Sequence, residues 1–259
     1  MIHRCFRHFS GVGPKTIASL NAAGIESWFD CLDRHEAIPF NGRRRRLFLE
    51  EVQKSILALE QENIAFFTEV FPPSEQWRVL AQFLHRAAFV DIETTGLSYQ
   101  YAHISVIAAC RGNSLHTFVY GENLDEFLSF ADECDLIVTF NGSSFDLPFM
   151  ERSFCIPDLG VPHLDLRWIA YHMGYRGGLK ALERRMGIRR PARVMGIDGF
   201  EAVALFRRWQ AGDAAARDLL VSYCAADTIA ARLLAERILS AAHCDVALSE
   251  PEELFAMLP

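Results

Sequence analysis

From Ala87 onward the hydrophobic and polar positions change rhythm, from helical spacing to short apolar runs. The stretch "AAFVDIETTGL" reads as a strand over Phe89 to Glu93, followed by strands over Ile104 to Cys110 and Leu115 to Tyr120. The turn Arg111-Gly112-Asn113 between the last two predicts a hairpin. Then "NLDEFLSFADE" reads as a helix, "DLIVTF" as a buried strand, "DLPFMERSF" as a helix and "HLDL" as a short strand, with helix through about Ala242. A hairpin followed by alternating helix and strand predicts an α/β domain over residues 83–245, a mixed sheet flanked by helices. The Glu-rich residues 246–259 read as a polar tail.

Upstream, Ile17, Leu20 and Ile25 recur at roughly helical spacing after the turn Gly11-Val12-Gly13-Pro14, and Gly24 marks a helix stop. Leu47, Val52, Ile56 and Leu59 predict a further helix, before Pro72 and Pro73 interrupt the pattern. Residues 1–56 therefore read as a small all-helical module and residues 57–82 as a helical connector. No repeat or low-complexity tract interrupts this order.

Composition narrows the function classes. The 259 residues are 51% hydrophobic, enough for a substantial core and a smaller module. A net charge of -7 argues against a protein that coats nucleic acid through bulk charge, yet residues 1–56 carry 9 Lys and Arg against 6 Asp and Glu. The seven cysteines are scattered without a C-x-x-C pair, so zinc and disulfide frameworks are poorly supported and reduced, mostly buried thiols are expected. The N-terminus lacks a signal-peptide pattern and no segment has the length to span a bilayer. A cytoplasmic protein without a membrane partner is the expectation.

The candidate chemistry begins with two acids in an apolar strand. Alternation puts Asp91 and Glu93 on one face and Val90 and Ile92 on the other. Like charges so placed repel unless a cation lies between them or the strand is a solvated edge. Asp146 follows the strand "LIVTF" at the start of a helix, either as a first-turn acid or as part of a site at a strand's C-terminal end. Tyr223 and Asp227 are four apart on one helix face, either an ordinary half-buried Tyr beside a surface Asp or further members of that site.

Taken together, D-x-E at Asp91 and Glu93, N-x-x-x-F-D at Asn141 to Asp146, and Y-x-x-x-D at Tyr223 and Asp227 resemble the three motifs of the DEDD, or DnaQ-like, 3′-to-5′ exonucleases, which have an RNase H-like fold. The histidine branch would need His five residues before Asp227, where Ser222 stands, so the resemblance is to the tyrosine branch. The stretches "TFNGSSFDLPFMERSF", "HLDLRWIAYHMGYRGGLKALERRMGI" and "EQWRVL" are similar to bacterial predicted exonucleases outside the replicative proofreading group, over about residues 75 to 240. The resemblance implies that Asp91, Glu93, Asp146 and Asp227 hold two Mg²⁺ or Mn²⁺ ions, about 3.5 to 4 Å apart in such sites. Oxygen-only ligands suit these ions better than zinc. Tyr223 would orient the attacking water, because a phenol with a reference pKa of about 10 is a poor base at neutral pH. Asn141 would bind substrate or hold the loop before Asp146, while His163 and Asp165 stay outside the metal set. The implied substrate is the 3′ end of a nucleic acid, single-stranded DNA first and RNA second.

Two further features bear on nucleic acid. "SGVGPKTIASLNAAGI" resembles a helix-hairpin-helix motif, in which Gly11 and Gly13 form the hairpin and Lys15 meets a phosphate, although Ile2 to Phe9 leave little length for a first helix. A glycine turn opening an ordinary helix gives the same pattern. "GRRRR" reads equally as a solvated helix start or a phosphate-binding face. Between Arg176 and Arg193 there are seven basic residues against the single acid Glu183, a band that would guide a polyanion through Arg176 and Lys180. The rival expectation is a non-catalytic nucleic-acid-binding or scaffold protein that keeps the fold.

Overall fold

The computed structural model describes residues 2–98 and 100–259. The chain divides into two compact units, Met1–Phe83 and Leu84–Pro259.

In the first unit the helical spacing folds as α1 (Pro14–Ala22), α2 (Trp28–Asp33), α3 (Gly42–Glu60), α4 (Ile64–Val70) and α5 (Gln76–Phe83). Ser27 caps α2 through a reciprocal pair with Asp30, which satisfies amides that the first turn leaves free. An aromatic core holds these helices: Trp28 stacks on Phe67 with ring centroids 6.1 Å apart, and Phe67 stacks on Phe83 at 6.0 Å. Residues 57–82, expected as a helical connector, complete α3, form α4 and most of α5, and also supply buried Phe67, Val79 and Leu80. Upstream of the glycine turn, Ile2–Arg4 is a single 3-10 turn.

The second unit is built on one five-stranded sheet: β1 (Ala87–Thr94), β2 (Ile104–Arg111), β3 (Ser114–Val119), β4 (Leu136–Thr139) and β5 (His163–Asp165). Their order is β3-β2-β1-β4-β5, antiparallel across β3-β2-β1 and parallel across β1-β4-β5. Both faces of the central strands are covered, which is why β1 and β2 read as nearly continuous apolar runs. On one face Ala88, Val90 and Ile92 join a core with Phe127 and Phe130 of α6 (Glu126–Asp132) and Phe149 and Met150 of α7 (Asp146–Phe154). After β5 come α8 (Leu166–His172), α9 (Leu179–Arg185), α10 (Gly199–Gln210) and the long α11 (Ala214–Ala241). The opposite face lies under α11, where Cys224 and Thr228 reach the backbone carbonyls of Val106 and Ala108. Buried Ala225, Ala226, Ala230 and Ala231 make α11 slim enough to lie close to the strands.

The closing residues 246–259 correct the expectation of a polar tail. They contain α12 (Pro251–Phe255), and Leu254, Phe255 and Leu258 are buried. Leu254 and Phe255 belong to this short helix and Leu258 follows it, so glutamate content alone misread the segment. Ser222 donates to the Pro259 carbonyl at 2.7 Å and Arg193 to that of Leu258 at 3.0 Å. Among the described residues no helix is long and apolar enough to cross a membrane. Six of the seven cysteines are buried and Cys155 is exposed, none of them in a disulfide among the described residues.

His8 in the first unit gives a pH signature. Its ring stacks on Phe71 at 4.5 Å and contacts Ser55 Oγ at 3.1 Å, and burial lowers its pKa to about 3. The unfolded chain takes up that proton near pH 6.5, so the neutral ring's contribution is whole above that pH and is lost as pH falls toward 3. Urea unfolding of the full chain at pH 7 and pH 5 is expected to show His8→Phe losing about 2 kcal/mol less than the parent on acidification. An identical loss in both proteins would remove His8 as the cause.

Candidate functional site

Sheet geometry opens a crevice beside the second half of β1. Pairing of β1 with β4 ends at Phe89↔Val138, whereas pairing with β2 continues through Asp91↔Ala108 and Glu93↔Val106 before the register shifts after Glu93. Strand alternation sends Asp91 and Glu93 to the face covered by α11. Crevices at such a reversal of connection direction, past the carboxyl ends of parallel strands, are where α/β sheets gather ligands.

The helix α11 supplies the facing groups. Cys224 Sγ sits 3.4 Å from the Asp91 carbonyl oxygen and anchors this turn to β1. Tyr223 and Asp227 are one turn apart, on the side facing the two strand acids. Asp91, Glu93 and Asp227 can each present one oxygen such that all three lie within 4.8 Å of one another. Asp146 reaches the same region from the N-terminus of α7, and its charge acts on both Asp91 and Glu93. It stands outside the three-residue group with mutually close oxygens.

The turn between β4 and α7 is what delivers Asp146. Gly142 is required there, because a Cβ at this position would lie 2.1 Å from Thr139 Oγ1. Asn141 adopts φ of +74°, an unusual conformation that Asn tolerates better than most residues. Asp165 at the end of β5 holds the turn: it accepts from the amides of Asn141 at 2.8 Å and Ser143 at 3.2 Å, and from Ser143 Oγ at 2.5 Å. Asn141 Oδ1 is likewise engaged within the fold, by Ser144 Oγ at 3.1 Å and by the Arg167 guanidinium. His163 contacts Thr139 Oγ1 at 2.9 Å, and burial lowers its pKa to about 4.

Packing acids this closely has an electrostatic consequence. Burial, followed by the charges of Asp227, Asp146 and Glu93, holds the Asp91 carboxyl well above the usual carboxylate range. Burial and then Asp227 do the same to Glu93, with Lys180 and Arg190 acting in the other direction. Asp146 is pushed up to about 7 by burial, against opposing backbone hydrogen bonds. Repelling oxygens so gathered fit a hard divalent cation, which removes both the repulsion and the need for protons. Three carboxylates with no nitrogen or sulfur donor among them suit Mg²⁺ or Mn²⁺.

Two cations of the chain's own stand in the site. Lys180 Nζ donates to Tyr223 Oη at 2.9 Å and also to the Ile197 carbonyl, so it positions the phenol instead of facing solvent as a phosphate contact. Burial and the three acids raise the Tyr223 pKa far above its ordinary value, keeping the hydroxyl protonated. Arg190 is the functional residue that sequence reasoning missed. It is one of the seven basic residues of the band between Arg176 and Arg193, yet its side chain is only 7% exposed and bridges Glu183 and Asp227. Its Nε and Nη2 meet the two Glu183 oxygens at 2.7 and 2.5 Å, and Nη1 pairs with Asp227. The only signal in sequence was Glu183, the one acid amid seven bases. Arg176 remains exposed, with its guanidinium 5.1 Å from the Tyr171 ring. Gly11, Gly13 and Lys15 lie in the first unit: Gly11 has φ of +69°, Gly13 caps α1, and Lys15 is exposed.

A cavity of about 880 Å³ opens beside Glu93, lined by Leu97, Phe145, Phe200 and Arg207 among others. Its lining combines apolar side chains with the side chain of Arg207.

The profile of the RNase_H superfamily matches residues 88–239, and the chain belongs to that superfamily. No curated protein sequence matches the chain. Among solved structures, the family B DNA polymerase of the hyperthermophilic archaeon Pyrobaculum calidifontis is similar at 16% identity with a TM-score of 0.48, over 60% of this chain and 24% of the polymerase. The chain thus spans about a quarter of that polymerase's length.

Arg190 yields a test of the site's electrostatics. Replacing it by Gln strips a positive charge from Asp227 and leaves Glu183 buried without its partner. The fold is expected to lose about 3 kcal/mol without metal, by thermal or urea unfolding. Mn²⁺ affinity, followed by titration calorimetry, is expected to rise by roughly tenfold through loss of one nearby like charge. Unchanged Mn²⁺ affinity would place Arg190 outside the ion's field.

Proposed function

We propose that the protein is a metal-dependent 3′-to-5′ exonuclease of the tyrosine-type DEDD group, acting on single-stranded DNA in the first place and RNA in the second. The observation that carries this reading is the convergence of Asp91, Glu93 and Asp227 within 4.8 Å, with Asp146 in electrostatic contact. The exonucleolytic mode and its polarity rest on the motif resemblance, since the same acids would serve an endonuclease. Asp91, Glu93 and Asp227 would hold one ion, and Asp146 with Asp91 a second. When bound, such ions supply a more acidic water at neutral pH and positive charge opposite the phosphodiester.

The remaining roles belong to the chain's own side chains. Lys180 donates to the Tyr223 oxygen, so the phenolic proton is free to point at a water or a phosphate oxygen. With its pKa raised, Tyr223 orients and does not abstract. The cavity beside Glu93 is large enough for a terminal nucleoside, with Phe145 and Phe200 as candidate stacking faces. In the first unit, the turn at Gly11 and Gly13 with Lys15 would contact phosphates in the manner of a helix-hairpin-helix motif. Residues 83–245 would carry the reaction and residues 1–56 would help to hold substrate.

One observation favours a second reading, a non-catalytic nucleic-acid-binding protein: Arg190 already supplies Asp227 with a counter-charge and needs no metal to do so. A 5′-labelled single strand incubated with Mn²⁺, with and without chelator, separates the two. The exonuclease reading expects a metal-dependent ladder shortening from the 3′ end, abolished by Asp91→Ala and slowed roughly 100-fold by Tyr223→Phe. Intact strand with retained binding would support the scaffold, and total loss in both variants would contradict the orienting role of Tyr223.

A further inference from the structure

The helix α8 turns two large aromatic rings outward. Leu166, Ile169 and Ala170 are buried at helical spacing, which leaves Trp168 and Tyr171 on the opposite side, 45% and 44% exposed. Each exposed ring forgoes the gain of burial, and exposed aromatic clusters mark binding surfaces. These rings are also ordered against one another, with centroids 5.9 Å apart and planes at 77°.

Each aromatic of this region carries a guanidinium. Arg167 lies 5.7 Å from the Trp168 ring, Arg176 5.1 Å from Tyr171, and Arg185 4.8 Å from Tyr175. From Leu166 to Arg193 the one acid is Glu183, and it is buried under Arg190, so the outward charge of the stretch is entirely positive. The strip also meets the site on two sides. Arg167 bonds Asn141 in the turn that delivers Asp146, and α9, which carries Arg185, also carries the Lys180 that holds Tyr223.

We propose that Arg167, Trp168, Tyr171 and Arg176 form a platform that holds single-stranded nucleic acid beside the acidic site. This rests on the nuclease reading for its purpose but not for its geometry. Interleaved flat rings and guanidinium groups match a polymer that alternates flat bases with phosphates. Two exposed rings accommodate two bases. In a duplex the bases stack on each other and offer only their edges, so the platform discriminates in favour of single strands.

The test uses the full chain carrying Asp91→Asn, which separates binding from hydrolysis, with fluorescein-labelled dT12, rU12 and a 12-base-pair duplex followed by anisotropy. Adding Trp168→Ala with Tyr171→Ala is expected to weaken both single strands by roughly tenfold or more, with duplex affinity changed by less than about twofold. Trp168→Phe with Tyr171→Phe, which keeps the rings, is expected to restore single-strand binding. Arg176→Gln is expected to reduce the salt slope by about 1. Unchanged single-strand affinity in the double alanine protein, or equal losses on single strand and duplex, would overturn the platform. Failure of the nuclease reading would appear elsewhere, as absence of metal-dependent hydrolysis by the parent chain.

Discussion

The second unit is organised around a repulsion. Asp91 and Glu93 occupy the covered face of a central strand, and Asp227 is brought against them by a helix that has to pack on that strand. Burial raises the cost of every charge involved, since the interaction between like charges grows as water is excluded. The arrangement is therefore tolerable only with compensation by protons, by internal cations or by metal. Lys180 and Arg190 supply part of it, while burial and the neighbouring acids still hold Asp91, Glu93 and Asp146 above the usual carboxylate range.

The fold meets the constraint by fixing each acid from a different rigid element. β1 fixes Asp91 and Glu93 through its register with β2. α11 is held to the sheet by Cys224 and Thr228, which bracket Asp227. Asp146 depends on a turn that needs Gly142 for space, Asn141 for its positive φ and Asp165 for its amide partners. Asp165 thus serves the site without joining the group of close oxygens: its oxygens are taken up by the turn. A group so supported is preorganised, which is what a charge-stabilising site requires.

Much of this was legible in the sequence because it depends on local periodicity. Alternation in "AAFVDIETTGL" gives the shared face of Asp91 and Glu93, and the four-residue step from Tyr223 to Asp227 gives theirs. The mixed sheet followed from a hairpin succeeded by alternating helices and strands. What sequence concealed were contacts between elements. Arg190 looks like its basic neighbours until Glu183 and Asp227 are seen to surround it, and Lys180 looks like a phosphate ligand until Tyr223 stands 2.9 Å away. The closing segment was misread for a related reason. Its three glutamates suggest a solvated segment, while the docking is carried by Leu254, Phe255 and Leu258.

The most direct test of a cation-holding acid cluster is binding itself. Mn²⁺ titrated into the full chain, with bound ion followed by electron paramagnetic resonance, should saturate at a defined stoichiometry. Asp227→Asn should weaken that binding by roughly tenfold or more, in line with removal of one charged oxygen ligand. Saturable binding with the same affinity in Asp227→Asn, or no saturable binding in the parent protein, would contradict the account.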